Sequence, residues 1–261
     1  MDIAHTLILV VVGFAAGTLG SLVGLGGGIL VIPVLAVYMG VSMHQAIGVS
    51  LMAVIATSTA TSSVNVERGV TDIRLGMTLE LATTVGAVAA AIIAAFVHRT
   101  TLAVLFTGFL LYTGLSLIRR AWQGRFMKAQ ATIPPYEIHN YPAGLAAACF
   151  AGGMSGLLGI GGGLVKVPVM YLFMGVPLRV ATATSNFMIG VTASASAFIY
   201  WGRGDVTLSL AAPIVVGVFG GSLTGARLAP KLRVSYVLGL LIIVTLYLSS
   251  QMILKIWTGK I

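Results

Sequence analysis

Read for hydropathy alone, the chain is a series of long apolar runs separated by short polar links. Runs long enough to cross a bilayer fall at about 6–24, 46–64, 75–97 and 101–118, then at about 143–158, 180–201, 206–226 and 234–257. Two further runs, Ile29 to Gly40 and Leu164 to Gly175, hold about a dozen residues each. That is too short for an ordinary span and typical of a re-entrant or half-helix segment. Both short runs follow a glycine cluster. The pattern predicts an all-α polytopic membrane protein in which one order occurs twice: a helix, a glycine break, a short helix and three more helices. Residues 119–142, carrying Arg119, Arg120, Arg125, Lys128, Pro134 and Pro135, form the one substantial polar link. The chain thus divides into a first repeat, 1–118, a basic linker, 119–142, and a second repeat, 143–261.

The repetition is also literal. Gly24-Leu-Gly-Gly-Gly28-Ile-Leu-Val-Ile-Pro33 returns as Gly159-Ile-Gly-Gly-Gly163-Leu-Val-Lys-Val-Pro168, displaced by 135 residues without a gap. The same offset pairs Ala16, Gly17, Leu22, Val34, Met39, Gly40, Val41, Ala46 and Ser50 with identical residues, and later Arg68-Gly69 with Arg203-Gly204 and Gly86 with Gly221. One unit is written twice. Duplicated halves broken by glycines at matching positions, in a very apolar chain, point to a membrane transporter with its site where the halves meet.

Composition narrows the class. A mean hydropathy of +1.04 with 58% hydrophobic and only 8% charged residues cannot clothe a water-soluble surface. Met1 to Val12 has no Lys or Arg ahead of its apolar run, so it reads as part of the mature first helix rather than a signal peptide. The net charge of +9 lies in the links between apolar segments, a pattern that orients helices in a bilayer rather than binding nucleic acid. Cys149 is the single cysteine, so neither a disulfide framework nor a thiolate metal site can be built, and no cofactor or metal is called for. Oligomeric state is not encoded in any pattern of the chain.

The basic residues also bear on topology. Whether each glycine break is a hairpin or two full crossings, an odd number of crossings per half inverts the second half. Arg68, Arg74, Arg119, Arg120, Arg125, Lys128, Arg179, Arg227, Lys231 and Arg233 then share one side, against Arg99, Arg203, Lys255 and Lys260 on the other. Four crossings per half would give parallel repeats and a weaker bias. The positive-inside rule favours two inverted-topology repeats, a cytoplasmic central loop and both termini outside, in a bacterial plasma membrane.

Glycine-rich backbone at membrane depth must be buried in protein or line a polar cavity. The short helix after each triplet presents N–H groups and the positive end of its dipole, which suit an anion. Gly26, Gly27, Gly28, Gly161, Gly162 and Gly163 are therefore the candidate substrate-binding backbone, expected to face each other across a central cavity. Pro33 and Pro168, one to two turns on, loosen the short helix or cap its start. The plainer alternative is a tight turn between packed helices, with Gly13, Gly17, Gly20 and Gly24 permitting close approach. Two copies at one offset favour the site. A dinucleotide fingerprint fails, because no strand precedes the glycines and no acidic residue follows at the required distance.

At these residues the chain resembles the TauE/SafE family of sulfite exporters and related permeases for small sulfur-containing or organic anions. The G-x-G-G-G-x-x-x-x-P element stands here as Gly24 to Pro33 and Gly159 to Pro168, and the resemblance covers essentially the whole chain. It implies export of sulfite, a related sulfur oxyanion or an organosulfonate. The residues alone imply an anion-binding repeat transporter, with a passive small-anion channel as the alternative.

Polar residues inside the apolar segments add candidates. Lys166 follows the second triplet by three residues where the first half has Val31. It is either a counter-charge for substrate near the midplane or a snorkelling interfacial lysine. Glu80 lies about two turns inside its helix. It is a proton-coupling candidate, although an interfacial carboxylate paired with Arg74 is the plainer reading. Ser50 and its repeat mate Ser185, with Asn186 beside it, are candidate donors to oxyanion oxygens; Thr57, Ser58, Thr61, Thr192 and Ser194 read as packing hydroxyls. Gly153-Met-Ser155-Gly156 matches an intramembrane serine protease element, but His5, His44, His98 and His139 all lie at segment ends or in loops. Lys166 is a poor base for Ser155, and no enzyme is expected.

Overall fold

The structure is a computed structural model that describes residues 3–24, 26–122, 135–229 and 234–259. Arg125, Lys128, Lys231, Arg233 and Lys260, which carry part of the predicted charge bias, lie outside the described residues. The described residues form ten α-helices: α1 (Ile3–Val23), α2 (Gly28–Pro33), α3 (Met43–Glu67), α4 (Ile73–Ala94), α5 (Arg99–Trp122), α6 (Tyr141–Leu158), α7 (Gly163–Leu172), α8 (Leu178–Gly202), α9 (Leu208–Leu228) and α10 (Val234–Trp257). The order read from hydropathy is the observed order, and no strand occurs among the described residues.

Seven of the helices, α1, α3, α4, α5, α6, α9 and α10, are long and apolar enough to cross a membrane. Helix α8 is as long as α3 but is not among them. Its Thr182, Thr184, Ser185, Asn186, Thr192, Ser194 and Ser196 lower its hydropathy, and most of them are buried against other helices rather than turned to lipid. The short runs form α7 and α2, the latter continued by a π-helical turn, Val34–Tyr38. That turn begins at Pro33, whose missing N–H breaks the α-helical bonding pattern. Lys255 Nζ donates to the Ala36 carbonyl inside it at 3.5 Å. Pro168 lies within α7 without a comparable widening.

The breaks are set by local backbone chemistry. Gly24 and Gly159 follow α1 and α6 with φ of +75° and +68°, the left-handed conformation that stops a helix and is strained for any residue with a Cβ. Elsewhere, Ser42 accepts from Gln45 N–H at the head of α3, and Asp72 accepts from Leu75 N–H at the head of α4.

Packing respects the 135-residue offset. Helix α1 lies on α9, and its mate α6 lies on α4. Helix α3 also packs on α9, and its mate α8 packs on α4, while α3 meets α8 and α5 meets α10. The detail repeats at single residues. Arg68 Nη1 donates to the Ala226 carbonyl at 3.1 Å, and Arg203 Nη1 donates to the Ala91 carbonyl at 3.0 Å. Gly86 lies against the Cys149 carbonyl, as Gly221 lies against the Phe14 carbonyl, each too close for a side chain. Small residues at these crossings let backbones touch, which is how apolar helices gain packing energy where lipid supplies no hydrophobic drive.

Candidate functional site

The two glycine breaks meet in the middle of the molecule. A Cβ on Gly28 would strike Ser50 Oγ and come within 2.8 Å of the Gly159 carbonyl. A Cβ on Gly163 would lie 2.7 Å from the Gly24 carbonyl and 3.4 Å from Ser185 Oγ. Val54 fits between Gly26 and Gly161, at 3.6 and 3.1 Å from the positions their Cβ atoms would take. The breaks are therefore in direct contact rather than facing each other across a cavity, because glycine leaves nothing between the backbones. The middle glycines turn elsewhere. Gly27 packs toward Ala16 in α1 and Thr57 in α3, and Gly162 packs toward Ala151 in α6; Ala16 and Ala151 are repeat mates.

The hydroxyls around the two breaks differ. Ser50 Oγ donates to the Gly159 carbonyl at 2.8 Å, so the first half spends this group across the interface. Thr57 Oγ1 accepts the Gly27 N–H at 3.2 Å, which satisfies one of the donors at the head of α2. Ser185, the mate of Ser50, is fully buried and its Oγ has no hydrogen-bond partner among the described residues. It stands beside Gly163, at the N-terminus of α7. The Asn186 side-chain amide lies next to Gly24, and its backbone carbonyl accepts from Ser58 Oγ.

Lys166 and Glu80 form a second cluster. Both are buried, at 2% and 4% exposure, and Lys166 Nζ lies 3.7 Å from Glu80 Oε2. Lys166 does not snorkel, and Glu80 does not pair with Arg74, which is exposed at the start of α4. The plainer reading of Glu80 fails because α4 and α8 run side by side in one register. Asp72 meets Thr184, Glu80 meets Thr192 and Ala91 meets Arg203, each pair 112 residues apart. That register carries Glu80 into the bundle, toward α7 and α8. Lys166 Nζ donates to Thr192 Oγ1 at 2.9 Å, and Thr192 Oγ1 donates to Glu80 Oε1 at 2.5 Å. Thr84 Oγ1 adds a longer bond to Glu80 Oε1 at 3.4 Å. Among the described residues, Glu80 Oε2 accepts no hydrogen bond.

Thr192 is the residue that sequence reading passed over as packing. A signal for it existed, since it is the mate of Thr57, and both stand two turns past the paired serines. Ser155 is fully buried, but Lys166, its one candidate base, is engaged with Thr192 and Glu80. Farther out, cavities of about 380 and 430 Å³ open near the two ends of α4. One is lined by Asp72, Tyr136 and Val180, the other by His44, His98 and Arg99. The Tyr136 hydroxyl donates to Asp72 at 2.8 Å; burial, and then that bond, push its pKa up to about 12.

Seven spanning helices around a buried polar centre, assembled from matching halves, define a multi-pass membrane protein of transporter type. The chain belongs to the TauE/SafE family: the family described as "Sulfite exporter TauE/SafE" matches residues 9–252. It is 31% identical to "Probable membrane transporter protein YunE" of Bacillus subtilis (strain 168), covering 95% of this chain and 97% of that protein. A "Probable membrane transporter protein" of Xylella fastidiosa (strain 9a5c) is 30% identical over 86% of this chain and 83% of its own length. A similarly named protein of Methanocaldococcus jannaschii is 25% identical, over 86% of each chain. No solved structure matches the chain.

Proposed function

We propose that this protein is a carrier that exports a small anion, sulfite or a related sulfur oxyanion or organosulfonate, through a site between its two halves. The observation that carries the reading is the second break. A fully buried Ser185 hydroxyl without a partner stands at the N-terminus of α7, beside the Asn186 amide, and the same helix carries a buried lysine one turn on. Unspent donors and a helix dipole at the head of α7, with a cation one turn along the same helix, suit an oxyanion. Membership of a family of sulfite exporters and relatives named as transporters support the same class. The glycine triplets would serve this site by bringing the backbones together, the outer glycines lining it and the middle ones packing on α1 and α6.

The inverted arrangement, with the central loop cytoplasmic and the termini outside, is part of the proposal. It is supported by the parallel course of α4 and α8. Helix α3 joins α4 through the short link 68–72 and so runs in the opposite direction to it, which supports opposite directions for α3 and its mate α8. The basic residues group accordingly. Arg68 reaches the Arg227 carbonyl at the end of α9, while Arg203 reaches the opposite end of α4, close to Arg99.

Flux in proteoliposomes tests the function. Purified protein should exchange internal sulfite for external labelled sulfite and accumulate it against a gradient, with sulfate, methanesulfonate and chloride as competitors. Flux that only dissipates gradients would make the protein a passive channel, and no flux of any of these anions would remove the anion reading.

A further inference from the structure

A buried ion pair ordinarily persists because its hydrogen bonds are complete, and one left incomplete is costly in a low-dielectric interior. The Glu80–Lys166 pair is incomplete. The ammonium lies 3.7 Å from Oε2, beyond the reach of a charge-assisted bond, and Oε2 accepts from no donor among the described residues. Contact between the two is relayed through the Thr192 hydroxyl, whose single proton goes to Oε1. Lys166 also stands three residues from Gly163, on the helix whose N-terminus abuts the unspent Ser185 hydroxyl. Lys166 therefore stands one helical turn along α7 from the proposed anion position.

We propose that Glu80 is the built-in occupant of Lys166: the transported anion takes its place at the ammonium, and the displaced carboxylate binds a proton. This rests on the anion site proposed above and adds the coupling ion. The exchange balances in charge. Before it, carboxylate and ammonium cancel. Afterwards a monovalent anion cancels the ammonium, and Glu80 is a neutral acid, the proton having bound at Oε2. Neither state leaves a lone charge in the bundle, whereas anion loading without the proton would strand the carboxylate. Anion and proton are thereby loaded together and move together.

Few other groups compete for that role. Around Glu80, α7 presents Lys166, α8 presents Thr192, and α4 itself adds Thr83 and Thr84. Helix α6 packs on α4 through Gly152 and Gly156, and its ionisable groups are Tyr141, exposed at its head, and Cys149, whose carbonyl lies against Gly86, farther along α4. Arg74 and Arg179 are exposed, and Arg203 is paired with Asp205. Among the described residues, Lys166 is the only charged group facing Glu80.

Calorimetric titration of the full-length detergent-solubilised protein with sulfite, in two buffers of different ionisation heat, measures protons taken up per anion bound. Wild type should take up about one proton per anion when titrated where Glu80 starts ionised. Glu80→Gln should take up none and bind the anion about tenfold more tightly, because Lys166 is no longer shared with an internal competitor. If that variant fails to fold, Thr192→Val gives the reading instead. Without the relay, the pH profile of binding should shift while binding itself survives, and Thr192→Ser should restore the profile. Wild-type binding with no proton uptake would overturn the exchange and leave the anion site standing. An unchanged uptake in Glu80→Gln, or an unmoved profile in Thr192→Val, would do the same. No sulfite binding by wild type would remove both readings.

Discussion

In the first half, the groups around the glycine break are consumed within the protein. Ser50 donates across to Gly159, Thr57 receives the Gly27 N–H, the position equivalent to Lys166 is Val31, and the position equivalent to Glu80 is Val215, on α9 of the second half. Around the second break, the same framework holds a serine unpartnered among the described residues and a buried ammonium, the buried carboxylate of Glu80 reaches in from α4 of the first half, and the mate of Thr57 is drawn away to bridge those charges. The backbones diverge as well. Gly27 heads α2 at φ −62°, whereas Gly162 heads α7 at +73°. Two copies of one sequence element thus end in different surroundings: the groups at the first break are bonded across the interface, and those at the second leave a buried serine without a partner among the described residues, one turn from a buried ion pair. A repeat conserves the frame, while substitutions at single mates decide what the frame holds.

The strongest way to break this comparison is to give the second break the apolar surroundings of the first. Lys166→Val alone leaves Glu80 unpaired in the interior and should cost about 3–5 kcal/mol, read as a large drop in thermal unfolding temperature in detergent. The double change Lys166→Val with Glu80→Val gives each position its repeat mate's residue, Val31 and Val215. It should recover most of that loss, since apolar replacement of a buried pair is often neutral, yet transport should remain absent. A double variant that still transported sulfite would place the chemistry elsewhere.

Next in size are the contacts between the breaks. Gly28→Ala and Gly163→Ala each push a methyl into the opposite half's carbonyl and should destabilise by about 1–3 kcal/mol. Gly108→Ala, where no atom lies within 4 Å, is the control and should change stability little. Equal behaviour of all three variants would mean that the breaks are not in contact.

The paired serines should separate stability from binding. Ser50→Ala loses a buried hydrogen bond and about 1 kcal/mol, with anion affinity little changed. Ser185→Ala should leave stability intact, because its hydroxyl has no partner to lose, and should weaken anion binding instead. Matching effects in the two variants would erase the proposed division between halves.

The smallest effect lies outside the breaks, where α4 is capped by Asp72 and its mate Thr207 makes no side-chain cap on α9. Tyr136 buttresses that cap from the connector. Its pKa in the folded state is raised to about 12 from 10.0, so its contribution is complete below pH 10 and declines as pH rises toward 12. Tyr136→Phe should cost about 1 kcal/mol or less near neutrality and should flatten this alkaline decline in an unfolding series. A decline of equal size in both proteins would assign it to other groups.

Much of the molecule was legible in its letters. Apolar runs of the right length located every spanning helix, because in a bilayer a backbone can satisfy itself only by staying helical. The undersized runs and the 135-residue offset located both breaks and their mates, since left-handed turns and touching backbones admit little besides glycine. The chain also named Lys166, Glu80, Ser50, Ser185 and Asn186. What it could not supply was their partners. Glu80 looked closer to Arg74, six residues away on its own helix, than to Lys166, which no local rule connects to it. Only the shared register of α4 and α8 brings Glu80, Thr192 and Lys166 together, and register between helices is set by side-chain packing over the whole contact. Hydroxyls posed the same difficulty. Ser50 and Ser185 are one residue written twice, and whether each spends or keeps its proton depends on a carbonyl in the opposite half. Periodicity therefore determined where the chain folds and breaks; tertiary contact decided which buried polar groups are satisfied and which, among the described residues, keep no partner.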